Sequence, residues 1–115
     1  MKNYTLNTPY STETVYLVKS NYVNGDSLYV GLRCEDGEPF MDVTTNLDTD
    51  YNLPPQVFGE NCAYVQIGDV YGVRLVRFLA ENGIANEVGV TVASGFNAYT
   101  LMDFSPSVAE MKALR

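Results

Sequence analysis

The sequence predicts an α+β domain: a mostly antiparallel sheet with one main helix packed on it and a short C-terminal helix. Three observations carry that expectation. The first half alternates apolar and polar residues at the period of a strand. One stretch in the second half changes to the period of a helix. Turn dipeptides stand between the segments at Asn24-Gly25, Asp36-Gly37 and Asn82-Gly83. At 115 residues, 46% of them hydrophobic, the chain is long enough to bury one core and is read as a single domain over residues 1–115.

The strands come first. A short strand is expected around Tyr4–Leu6, and Val15 to Val18 is apolar and rich in β-branched or aromatic residues. Asn24-Gly25 is a strong hairpin signal. After it, Leu28, Val30, Leu32 and Cys34 fall on one face, with Tyr29, Gly31, Arg33 and Glu35 on the other. Beyond Asp36-Gly37, a third strand places Met41, Val43, Thr45 and Leu47 on one face. Such a meander has one face buried and one wet. Residues 48–61, with Pro54-Pro55, Gly59 and Asn61, break the pattern as an irregular connection, and Tyr64, Val65 and Ile67 suggest a short strand after it.

The helix follows. Tyr71, Leu75, Phe78 and Leu79 recur at helical spacing, opposite Arg74, Arg77 and Glu81. Asp69 is a suitable N-cap and Asn82-Gly83 a suitable stop, which predicts a helix over about residues 70–82. Val88, Val90 and Val92 then alternate, Ser94-Gly95 turns, and Tyr99 to Phe104 continues as a strand. Ser105-Pro106 opens the C-terminal helix, in which Ser107 and Glu110 fit a capping box and Val108 and Met111 give an apolar side.

Charge is unevenly placed. The net charge is −7, yet residues 34–73 hold eight Asp and Glu and no Lys or Arg. The whole net charge therefore sits in the middle third. Such a segment repels nucleic acid and membrane surfaces and attracts basic partners, besides keeping the chain soluble. No apolar run approaches the length of a membrane span, and the first residues lack the apolar core of a signal peptide. Two cysteines, Cys34 and Cys62, are too few for a disulfide scaffold and read as small buried hydrophobes of a reducing compartment. A cytoplasmic protein with no membrane association is expected.

Most catalytic chemistry finds no residues to perform it. The chain has no histidine, which removes the commonest general base, the usual nucleophilic triads and every His-containing metal site. Phosphate loops, dinucleotide fingerprints and a nucleophile elbow are missing. Asp48-Thr49-Asp50-Tyr51-Asn52 resembles the start of a calcium loop, but Leu53 stands where Gly is needed and Gly59 where the bidentate Glu is needed. Tyrosine is abundant, with nine residues. Tyr10, Tyr29, Tyr51 and Tyr64 are candidates for a binding face, although covering a half-exposed sheet is the better reading. Nucleic-acid binding would need such rings interleaved with Lys and Arg, so none is expected directly.

Three stretches carry a family resemblance: Cys34-Glu35-Asp36-Gly37-Glu38-Pro39-Phe40 leading to Thr45-Asn46-Leu47, then Phe78 to Ile84, then Ser94 to Leu101. Together they resemble a domain-of-unknown-function family of small acidic proteins, often carried by plasmids and conjugative elements of gut bacteria. The resemblance implies a mobile-element context, in which small acidic proteins sometimes serve as antidefence or regulatory factors. It brings no catalytic residues with it.

The sequence therefore points to a non-enzymatic, acidic protein-interaction module that engages a basic partner surface. Glu35, Asp36, Glu38, Asp42, Asp48 and Asp50 would supply charge and Tyr51 an anchor. No catalytic residue, metal ligand or cofactor is assigned. The alternative is a small-molecule or metal-binding domain, including a carboxylate-dependent hydrolase, for which a pocket lined by two or more of those acids would speak.

Overall fold

A computed structural model describes residues 2–47, 52–67 and 70–114, except for the side chains of Val70 and Tyr71. The expected N-cap Asp69 lies outside the described residues. Strands β1 (Asn3–Asn7), β2 (Thr12–Asn21), β3 (Leu28–Cys34) and β4 (Pro39–Asp42) form an antiparallel meander in sequence order. Leu28, Val30 and Leu32 point into the core, as their alternation requires, while Tyr29 and Arg33 are half-buried on the other face. The β2–β3 turn falls at the expected place. Gly25 and Asp26 both adopt positive φ, 82° and 56°, a conformation open to Gly and tolerated by Asp.

The second half builds a separate sheet. Strand β5 (Cys62–Gln66) leads to helix α1 (Val70–Glu81). A hairpin of β6 (Asn86–Ser94) and β7 (Asn97–Asp103) follows, and the strand order is β5-β7-β6. The expectation of one sheet is thus corrected to two. The third strand also ends early, at Asp42 rather than near Leu47. Both Val43 and Thr44 donate their amide N–H to the Val30 carbonyl, and Thr44 Oγ1 accepts the Val30 N–H at 3.1 Å. That side chain takes a backbone partner out of the ladder, and Thr45 then bridges to Tyr64 of the second sheet. Residues 43–45 therefore stitch the sheets together. Val43 enters the main core and Leu47 packs on a smaller one around Cys62, Tyr64, Tyr99 and Leu101.

The main core lies where both sheets meet α1. Val15, Val30, Val65, Leu79, Ile84, Met102 and Phe104 are all fully buried there. Leu75, Phe78 and Leu79 form the buried stripe of α1, with Arg74, Arg77 and Glu81 exposed. The helix ends as its sequence directs. Gly83 has φ 66°, its N–H bonds the Ala80 carbonyl at 3.2 Å, and the Ile84 N–H bonds the Leu79 carbonyl at 2.9 Å. This is a Schellman stop, with Ile84 as its buried apolar member.

The expected C-terminal helix is replaced by a single 3-10 turn, Val108–Glu110, followed by β8 (Lys112–Ala113). The capping box does not form because the Ser107 hydroxyl is spent elsewhere, donating to the buried Ile84 carbonyl at 2.8 Å. Met111 turns extended, and β8 pairs in parallel with Val18 and Lys19 of β2, beyond the point where β1 begins. Sheet pairing supplies partners that one isolated helical turn could not.

Helix α1 approaches β5 closely at Gly72. A Cβ there would collide with the Gln66 carbonyl and stand 2.8 Å from Ile67 Cα. Replacing a helical Gly by Ala ordinarily stabilises by about 0.5–1 kcal/mol. Here both neighbours are backbone and cannot swing away. Gly72→Ala should instead destabilise by about 1–3 kcal/mol. Urea unfolding measures this as a lower midpoint at unchanged slope.

Candidate functional site

The β3–β4 turn gathers most of the expected acidic residues. Cys34 and Glu38 close the hairpin, with the Cys34 N–H donating to the Glu38 carbonyl at 2.9 Å and the Gly37 N–H to the Cys34 carbonyl at 2.9 Å. Gly37, at φ 92°, supplies the left-handed residue that such a three-residue loop requires. Asp36 Oδ1 accepts the Glu38 N–H at 3.0 Å. Arg33 reaches across the loop and donates from Nη1 to the Gly37 carbonyl at 2.9 Å. The turn is thus fixed by its own hydrogen bonds, and Glu35, Asp36 and Glu38 project from it exposed.

The structure adds Glu13, which sequence reasoning missed because it lies on β2, far along the chain. Val15 pairs with Cys34 across β2 and β3, which brings Glu13 beside the turn. The half-buried thiol of Cys34 senses the result. Its pKa is raised by burial first, then by the charges of Asp36, Glu13 and Glu38. No ion pair joins these carboxylates to a cation among the described residues.

The other expected members are placed differently. Asp42 lies on β4, where Tyr29 donates its hydroxyl to Asp42 Oδ1 at 2.6 Å. The Tyr29 ring lies over Gly31, which is paired with Asp42 across the sheet. Tyr22 packs edge-on against Tyr29 at 5.6 Å between centroids, and its hydroxyl hydrogen-bonds Thr44 at 2.8 Å. Asp42 is therefore part of a polar clasp on the sheet rather than of the turn. Asp48, Asp50 and Tyr51 lie outside the described residues. The three described candidate tyrosines, Tyr10, Tyr29 and Tyr64, do not share a face. Tyr64 is buried, its hydroxyl donating to the Leu53 carbonyl at 2.8 Å, whereas Tyr10 is 87% exposed.

A second feature is an open cleft of about 340 Å³ between the first sheet and α1. Leu6, Phe40, Met41 and Leu75 form its apolar surface, with the β1–β2 turn at the rim and Arg74 on the helical side. Thr8 locks that turn, its Oγ1 accepting the Ser11 N–H at 2.9 Å and the Tyr10 N–H at 3.2 Å. Sequence periodicity could not reveal the cleft, because its walls come from three separated segments. None of Glu35, Asp36 or Glu38 lines it. Among the described residues no group of three or more His, Cys, Asp or Glu is placed to hold a metal ion, and no helix is long and apolar enough to cross a membrane.

A family model described as a domain of unknown function (DUF4313) matches residues 16–114, and the chain belongs to that family. No curated protein and no solved structure matches the chain.

The Tyr29–Asp42 clasp gives a pH signature. Burial, then the hydrogen bond to Asp42 and the Asp42 charge, push the Tyr29 phenol from 10.0 up to about 12. The fold favours the neutral phenol, so this contribution is fully present below pH 10 and is lost as pH rises through about 12. Asp42→Asn should bring the Tyr29 pKa back down toward its ordinary value, read by NMR titration of the ring.

Proposed function

We propose that this DUF4313 protein is a non-enzymatic interaction module whose acidic β3–β4 turn engages a basic surface on a protein partner. The observation that carries the reading is the gathering of Asp36, Glu38 and Glu13 around Cys34 at the β3–β4 turn, with Glu35 beside them, none of them in an ion pair among the described residues, and Arg33 alone reaching across the turn to the Gly37 carbonyl. Like charges held together cost repulsion in the free protein, and a cationic partner relieves it. The turn is locked by backbone hydrogen bonds, so little chain entropy remains to be lost on binding.

The finer reading follows from charge and from the family resemblance. A surface that attracts Lys and Arg fits proteins that ordinarily handle nucleic acid, and the module itself would not bind nucleic acid directly. In a mobile element of a gut bacterium such a protein would act in the cytoplasm as an antidefence or regulatory factor.

The test compares the wild-type protein with the triple variant Glu35→Gln, Asp36→Asn, Glu38→Gln in tagged pull-downs from the native host at low and moderate salt. Asn at position 36 keeps the acceptor for the Glu38 N–H, so the turn is retained. The wild type should retain a basic protein that is lost as salt rises, and the variant should recover about tenfold less of it. Equal recovery by both proteins would remove the turn from the interface.

A further inference from the structure

We infer that the cleft between β1, β4 and α1 is a binding site for a small organic carboxylate with an apolar body. Its volume, about 340 Å³, lies at the lower end of the roughly 300–1,000 Å³ range of small-ligand sites. Leu6 of β1, Phe40 and Met41 of β4, and Leu75 of α1 give it an apolar floor on three elements of regular structure, and the hydrogen-bonded β1–β2 turn closes one side.

The polar groups around the cleft decide which end of a ligand goes where. On the turn side the Thr8 and Ser11 hydroxyls are already occupied, and Asn7 and Tyr10 carry no charge. The Thr8 hydroxyl accepts two backbone N–H groups, and the Ser11 hydroxyl donates to Glu13 Oε1 at 2.9 Å. On the helix side Arg74 is exposed and makes no hydrogen bond or ion pair among the described residues. A guanidinium offers five N–H donors in a planar fork that matches a carboxylate. The Glu13 carboxylate, bonded to the rim residue Ser11, repels an anion from the opposite side. The electrostatic gradient across the cleft therefore orients a ligand with its carboxylate at Arg74 and its apolar body against Leu6, Phe40, Met41 and Leu75. Arg74 is the one charged side chain among the described lining residues, so it repels a cation from the cleft, and a neutral amphiphile leaves its donors unused. The site is independent of the acidic turn, since Glu35, Asp36 and Glu38 do not line it.

The test is an amide NMR titration of the full chain with octanoate and with hydrocinnamate, each compared with its neutral alcohol, octanol or hydrocinnamyl alcohol. The carboxylates should shift the amides of residues 6–11, 40–41 and 74–75 and bind about tenfold more tightly than the alcohols, the gain expected of a charge-assisted pair. Arg74→Gln, a change at an exposed helical position, should abolish that preference while the alcohols still shift the same amides. Three results would overturn the proposal: no shifts at these amides with any of the four probes, shifts spread over the surface, or a carboxylate preference that survives in Arg74→Gln.

Discussion

The seating of α1 is the constraint on which the other features depend. It is the single α-helix among the described residues, and its stripe of Leu75, Phe78 and Leu79 meets the apolar faces of both sheets. Burying such side chains contributes about 1.5–3 kcal/mol each. Two local devices fix where the stripe lands. At one end Gly72 lets the helix pass directly against the backbone leaving β5, and at the other the Schellman stop drives Ile84 into the core. The same seating builds the cleft. Leu75 turns inward to line it and its neighbour Arg74 stays outside, so one helical position sets the apolar wall and the next sets the charge.

The two candidate surfaces are opposite in sign and differ in construction. The acidic turn is exposed and held by backbone hydrogen bonds, so its field extends into solvent and weakens with salt. The cleft is concave and mostly apolar, and Arg74 is the one cation among the described residues that line it. Glu13 stands between them. It adds to the field at Cys34 and also receives the Ser11 hydroxyl at the cleft rim.

Much of this architecture was legible in the sequence, and the exceptions have physical reasons. The inward row of Leu28, Val30 and Leu32 and the Asn82-Gly83 stop follow from local rules that tertiary contacts leave intact. The division into two sheets was not legible, because it rests on Thr44 capturing the Val30 N–H, a contact between distant residues. The C-terminal helix failed for the same kind of reason. Ser107 and Glu110 satisfy the local pattern, but Ile84 offers Ser107 a better partner and β2 offers the last residues a strand. At the acidic turn, Glu35, Asp36 and Glu38 were readable from spacing, whereas Asp42 was diverted by Tyr29 and Glu13 was recruited across the sheet.

The most direct measurement on the proposed acidic interface places a photo-crosslinking phenylalanine analogue at position 35 and, as a control, at the fully exposed Phe96 in the β6–β7 turn, with irradiation in the native host. The account predicts that position 35, and not position 96, crosslinks to a Lys- and Arg-rich segment of one protein, with a yield that falls as salt is raised. Crosslinks from position 35 to neutral or acidic segments, or to the same proteins as position 96, would contradict it.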